Sequence, residues 1–315
     1  MSAGAWKHRV TRTAAALLRR WPWGERQLVR GCRRAWGRDR LKLGAIAYAY
    51  LALPAPELRL ATGAGYRLWV DLTEYQGIFL YFFGQSLEPL ASQIAAHLVT
   101  AGDTCVDVGA NMGSYTFLLA SRVGPSGRVF AFEPQPQLYT LLQRSVAANG
   151  WEARVRLEAQ ATYRQSGLTL RLYTSGDPHN SGIVSMVRYG DFLDAERYIE
   201  PETMALDDYF RQQQITHCKL LKMDIEGAEL PALQGSQALL AQKAIDYLIV
   251  EQPAGGEAQQ WLLQAGYRGW LIDEGAQRLR PLADLEPGCF GNYLFISPSQ
   301  LAASRAQLRA WWPEA

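Results

Sequence analysis

From residue 104 onward, short apolar runs alternate with stretches whose apolar positions recur every three or four residues. The runs Thr104–Val108, Arg128–Phe132, Val155–Ala159, Lys219–Met223, Tyr247–Val250, Tyr267–Ile272 and Tyr293–Ile296 predict strands. Between them, Ser114 to about Val123, Gln137–Asn149, a segment from about Ala228 and Gly256–Ala265 predict helices. Upstream, Leu58–Leu72 alternates around Gly63 and Gly65 and predicts a β-hairpin. Gly84 to His97 predicts a helix with Leu87, Leu90, Ile94 and Leu98 on one stripe. A loop-rich stretch to about residue 200 carries a predicted hairpin at Leu168–Tyr173. Repeated strand–turn–helix units imply an α/β fold, a doubly wound and mostly parallel sheet with helices on both faces. Ligands of such sheets bind beyond the carboxyl ends of the strands, where the strand order reverses, so chemistry is expected in the turns that follow strands.

Length and composition narrow this picture. A chain of 315 residues suits one α/β core with an appendage, and 48% hydrophobic with 20% charged residues excludes a chiefly disordered or fibrous chain. No apolar run reaches the roughly 18 residues of a membrane-spanning helix; the longest, Leu43–Leu53, is stopped by Pro54 and Pro56. Cys32, Cys105, Cys218 and Cys289 lie far apart, as do the four histidines, which argues against a disulfide framework or structural zinc. No cleavable secretory signal is legible, and the expected location is the cytoplasm.

Charge adds an asymmetry. Residues 1–42 carry twelve basic side chains against Glu25 and Asp39, so the arm bears +10 of a net +2 and the remaining 273 residues sum to −8. The arm also holds Trp6, Trp21, Trp23 and Trp36. Arginine with tryptophan suits the inner face of an anionic membrane. Two other readings stand beside it: a helical extension packed on the core, and an Arg-rich transit peptide. Pro22 is expected to break the arm into two amphipathic helices. The expected organisation is a helical extension over 1–56, a catalytic domain over 57–298 and an amphipathic tail over 299–315.

Three motifs carry chemistry. Asp107-Val-Gly109-Ala-Asn111-Met-Gly113 places glycines at a strand end, where the backbone turns tightly and a ligand can approach. The following helix offers N–H groups and positive partial charge to an anionic group. A dinucleotide fingerprint would need glycine at Asn111 and Ser114, so a dehydrogenase is disfavoured. Glu133, twenty residues after Gly113, can accept ribose hydroxyls, as in other nucleoside-binding α/β folds. Asp224, Glu226 and Glu229 crowd three carboxylates after a buried strand; such crowding raises pKa values and marks functional sites. Glu226 and Glu229 also have a simpler reading, as complements to a helix N-terminus.

Taken in order, Asp107–Thr116, Phe132–Pro134, Leu206–Asp208 and Lys222–Glu229 resemble the FkbM-type S-adenosylmethionine-dependent methyltransferases, over roughly residues 66–296. The lead-in Gly84–Pro89 resembles the family's Gly-x-Tyr-Glu stretch, with Leu87 in place of the aromatic. The resemblance implies a class I, Rossmann-like methyltransferase fold with S-adenosyl-L-methionine as cofactor. Gly109, Asn111 and Gly113 would shape the pocket for its amino-acid end, Asp107 would support the turn and Glu133 would hold the ribose. Asp224 and Glu226 would face the methyl group and the acceptor. The family's chemistry implies O-methylation of a hydroxyl on a sugar, surface glycan or polyketide-type acceptor.

A hydroxyl acceptor needs alignment and a base. Asp224 is the first choice for that base, Glu226 the second, and His179 in the loop Asp177–Gly182 an outsider. No metal-ligand set is assigned, because the three carboxylates show no ligand spacing. The acceptor is expected to be a small molecule or glycan and not a nucleic acid, since the body is acidic. The rival functions are an RNA methyltransferase, suggested by the basic arm, and a non-catalytic module binding cofactor or partner.

Overall fold

The computed structural model describes residues 17, 18, 20–34, 47, 50, 51, 53, 55–63, 65–175, 177, 179, 180, 184, 185 and 193–312. Contacts divide the chain into two compact units, residues 1–87 with 177–181, and residues 88–176 with 182–315. The expected boundary at residue 56 falls inside the first unit. Most of the Leu43–Leu53 run, residues 1–16 and 35–42 of the basic arm, and Pro178, Ser181 and Gly182 of the His179 loop lie outside the described residues.

In the first unit, helix α1 spans Pro22–Arg34 with Pro22 at its first position, where its missing N–H costs nothing. Strands β1 (Leu58–Thr62) and β2 (Arg67–Asp71) form the predicted hairpin, with Leu58 opposite Asp71 and Thr62 opposite Arg67. A short helix α2 (Tyr75–Ile78) runs into a π-helical turn at Phe79–Phe83, closed by left-handed Gly84. The predicted helix therefore does not begin at Gly84.

It begins in the second unit, as α3 (Pro89–Leu98). Pro89 disfavours helical geometry at Glu88, so the start is displaced and Leu87 is left 49% exposed while Leu90, Ile94 and Leu98 are buried. The strand–helix series follows: β3 (Thr104–Val108), α4 (Ser114–Val123), β4 (Arg128–Phe132), α5 (Pro136–Asn149) and β5 (Val155–Glu158). The loop-rich stretch holds β6 (Ala161–Thr162), β7 (Leu172–Ser175), β8 (Val184–Ser185), β9 (Leu193–Ile199) and β10 (Thr203–Met204). Instead of a hairpin at Leu168–Tyr173, β7 sits between β8 and β9 in an antiparallel sheet, and Thr169 only bridges Glu202. Then come α6 (Leu206–Gln212), β11 (Cys218–Met223), α7 (Glu229–Gln234), α8 (Gln237–Ala241), β12 (Ile245–Pro253), α9 (Glu257–Gln264), β13 (Arg268–Asp273), β14 (Arg278–Pro281), β15 (Phe290–Ile296) and α10 (Leu301–Gln307).

The main sheet has the order β14-β13-β15-β12-β11-β3-β4-β5, with β5, β4, β3, β11 and β12 parallel and β15 antiparallel to β12. Val106, Phe130, Leu221, Leu248 and Phe295 line one face against α6 to α9. Alternate residues of the same strands point to the other face; α3 contacts β11, and α4 contacts β3 and β4. The chain leaves β3 toward β4 on one side and returns to β11 on the other, so the order reverses between β3 and β11. The turns after β3, β11 and β12 therefore meet at one sheet end. The tail packs at the opposite sheet end, after β15: Gln307 Nε2 donates to the His97 carbonyl, and the Trp311 ring stands edge-on to His97.

Candidate active site

The turn after β3 is built from left-handed residues. Gly109, Asn111 and Gly113 have φ of 81°, 52° and 93°, and asparagine is the side chain that tolerates this region best after glycine. A Cβ on Gly109 would overlap the carbonyl oxygen of Asp224, while the Asp224 N–H donates to the Val108 carbonyl at 3.0 Å. Glycine thus lets the turns after β3 and β11 touch. Asp107, 1% exposed, accepts the Thr116 hydroxyl from the first turn of α4 at 2.5 Å, and burial pushes its carboxyl up to about 6.

Glu133 follows β4 and is 3% exposed. Its Oε2 accepts the Asn111 N–H at 2.8 Å and its Oε1 the Gln135 N–H at 2.9 Å; burial pushes its pKa up to about 7. Each oxygen keeps a second acceptor position, which fits a pair of ribose hydroxyls. Beside it, Asn111 Oδ1 is buried and has no partner among the described residues. A buried acceptor of this kind needs a donor, and it suits an ammonium group such as the amino-acid end of S-adenosylmethionine.

Across the sheet end stands a second cluster. The Lys222 ammonium, on a side chain 2% exposed, donates to Asn292 Oδ1 at 2.7 Å and Asp224 Oδ2 at 3.1 Å. Burial opposes its charge, but Asp224, Glu88 and Glu251 outweigh that and push its pKa up. Asn292 passes the link on, its Nδ2 donating to Glu88 Oε1 at 2.7 Å, and the Tyr115 hydroxyl donates to Glu88 Oε2 at 2.9 Å. Glu88, Asp224 and Glu251 each bring an oxygen within 4.8 Å of the others. Burial and then the Asp224 charge push Glu251 up to about 10, so at neutral pH it keeps its proton and is hydrogen-bonded to Asp224.

The structure thus brings the predicted Asp224 together with Lys222, Glu88, Glu251, Asn292 and Tyr115, which the sequence had not assigned to the site. The strand predicted over Tyr247–Val250 stops short of Glu251. Instead β12 runs on to Pro253 because β15 pairs with it antiparallel, setting Glu251 opposite Asn292. A signal was available: an acidic residue directly after a predicted strand, as Glu133 and Asp224 are.

Glu226 adjoins the cluster with φ 53°, and burial, then Asp224 and Glu229, push it up to about 7. Its carbonyl accepts the Ser185 hydroxyl at 2.9 Å. Glu229 follows the simpler reading: its Oε1 accepts the Ile225 and Gly227 N–H groups at 3.0 and 3.3 Å and pins this turn. Asp207 accepts the Ala238 and Leu239 N–H groups at the start of α8, and Asp208 accepts the Ser166 hydroxyl, so the Leu206–Asp208 motif is architectural. His179 belongs to the first unit, where its Nδ1 donates to the Thr73 carbonyl at 2.9 Å. A cleft of about 500 Å³ along the β5 edge is lined by Arg128, Tyr139 and Arg156 and contains none of the motif residues.

Comparison with known proteins identifies the family. The model of the methyltransferase FkbM domain matches residues 107–268, just over half of the chain. A curated relative, methyltransferase sdnD of Sordaria araneosa, is 29% identical over 153 residues, covering 41% of this chain and 59% of that protein. The chain thus spans about three fifths of that relative's length. Among solved structures, M. jannaschii TYW2 in complex with AdoMet superposes with a TM-score of 0.40 and 12% identity, over 78% of this chain and 87% of that one. A SAM-dependent O-methyltransferase from Thermotoga maritima gives 0.37 and 16%, over 68% and 66%. With the glycine turn, Glu133 and the Asp224 turn meeting at the reversal point of a doubly wound sheet and the family match spanning them, the chain belongs to the FkbM family of S-adenosylmethionine-dependent methyltransferases.

Proposed function

We propose that the chain is an O-methyltransferase acting on a hydroxyl of a sugar, surface glycan or polyketide-type acceptor. The observation that carries the reading is Glu226, a partly exposed carboxylate in the turn after β11, which meets the turn after β3 at Gly109, with its pKa pushed up to about 7. An aliphatic hydroxyl is a poor nucleophile and needs a base of such proton affinity at neutral pH. When bound, S-adenosylmethionine supplies an electrophilic methyl group. Asn111 and Glu133 would hold its amino and ribose groups, with Gly109 and Gly113 keeping the turn open.

This reading reverses the expected order of the two carboxylates. Asp224 receives the Lys222 ammonium at 3.1 Å and a hydrogen bond from Glu251, so its oxygens are already engaged within the cluster. Its negative charge instead raises the proton affinity of Glu226. Glu226 takes the acceptor's proton, and Asp224 sets the pH at which it can do so.

Turnover with a panel of glycan and polyketide hydroxyls, followed by mass spectrometry of the methylated product, tests the reaction class. The rate should rise through about pH 7, and Glu226→Gln should lower it by about two orders of magnitude. Asp224→Asn should move the rising limb to lower pH, because removing a like charge lowers the Glu226 pKa. An inactive Asp224→Asn beside a fully active Glu226→Gln would return the base to Asp224.

A further inference from the structure

Among the described residues no helix is long and apolar enough to cross a membrane, yet α1 is built to present one face outward. Its Gly24, Glu25, Leu28 and Cys32 are buried. At 3.6 residues per turn, Trp23, Arg26, Gln27, Arg30 and Arg34 fall within about a third of the helix circumference on the opposite side, and all are exposed. The only acidic residue of the helix is turned inward. Glu25 accepts the Tyr81 hydroxyl at 2.6 Å, the Tyr50 hydroxyl at 2.8 Å and Arg59 Nε at 3.0 Å. Burial would raise its pKa, but these partners outweigh burial and hold it below the usual range. The buried anion therefore fixes the helix and leaves only positive charge on the outer face.

Apolar side chains stand beside that charge. Trp21 and Trp23 are each 56% exposed with ring centroids 5.5 Å apart, and Leu17 is 64% exposed. Trp21 lies against Gly24, where a Cβ would displace the indole. Arg20 is exposed at the turn before the helix. A soluble surface gains nothing from two exposed indoles and a leucine beside four arginines. An interface with phosphate above and hydrocarbon below uses both.

We infer that the face formed by Arg20, Trp21, Trp23, Arg26, Arg30 and Arg34 docks on an anionic lipid surface, with indoles at headgroup depth and guanidinium groups on lipid phosphate. Indoles also stack on nucleic-acid bases. Leu17 has no ring to stack, and with it the face fits lipid.

The test is sedimentation of the full chain with phosphatidylcholine vesicles, with and without phosphatidylglycerol. Binding is expected only to the anionic vesicles. Arg26→Ser/Arg30→Ser/Arg34→Ser should weaken it about a hundredfold, near fivefold per arginine. The corresponding triple lysine variant should stay close to wild type, which separates lost charge from lost folding. Trp21→Ser/Trp23→Ser should bind at low salt and be released by high salt, whereas the wild type resists. Equal sedimentation of the wild-type and triple serine proteins would overturn the inference. So would single-stranded RNA that displaces the wild type from vesicles and requires both tryptophans. Methyl transfer to a soluble acceptor plays no part in these readings, so the inference stands or falls apart from the proposed reaction.

Discussion

Replacing Glu251 by glutamine should stabilise the protein, and by more as the pH rises. In the folded chain this carboxyl holds its proton up to about pH 10, because it is buried beside the Asp224 charge. In the unfolded chain it ionises near 4.5. The folded pKa is raised, so the stability belonging to that proton is complete below the unfolded pKa and is lost as pH climbs toward the folded one. Between pH 6 and 8 only the folded state holds the proton, and the wild type loses about 1.4 kcal/mol per pH unit from this site. Glutamine does not titrate, and its amide N–H replaces the carboxyl O–H toward Asp224. Asp107 and Glu133 titrate in both proteins, so they largely cancel in the difference. The stability difference should therefore widen by about 2.7 kcal/mol from pH 6 to 8, in favour of the variant. Urea unfolding of both proteins at pH 6, 7 and 8 measures it. Parallel pH profiles would show that Glu251 is ionised in the folded protein, and the account of the Lys222 cluster would fall.

Two further outcomes follow from the turn after β3. Affinity for S-adenosylmethionine should tighten as pH rises through 7, at most about tenfold per unit, because hydroxyl donors favour the ionised form of Glu133 and binding then expels its proton. Calorimetry in buffers of different ionisation enthalpy detects that proton, and Glu133→Gln should abolish the dependence; tighter binding at lower pH would refute it. Gly109→Ala should cost about 3 kcal/mol, combining a strained positive φ with overlap on the Asp224 carbonyl. An unchanged urea midpoint in that variant would mean that the two turns do not touch.

Much of the fold was legible because its signals are local. The strands Thr104–Val108 and Arg128–Phe132 and the helix Ser114–Val123 have the bounds their periodicity predicts. A glycine with φ of 81° must sit where no side chain fits, so Asp107–Gly113 announces its turn without reference to the rest of the chain. Pro89 shows where local reading slips: the leucine stripe extends to Leu87, but the proline places Glu88 outside the helix.

The makeup of the charged cluster was decided elsewhere. Glu88, Lys222, Glu251 and Asn292 are separated by up to 204 residues, and no local pattern relates them. They meet because β15 runs antiparallel to β12 and sets Asn292 opposite Glu251, while β11 delivers Lys222 between them and β3. Their protonation is likewise a property of burial and of one another's charge, which exist only in the folded chain. The same holds for Glu25. In sequence it is one of two acids diluting a basic arm; in the structure it is the inward anchor that turns the arginines out. Backbone geometry and amphipathic period are short-range and are written residue by residue. Electrostatic partnership at a sheet end depends on long-range pairing, and so it was set by the tertiary structure alone.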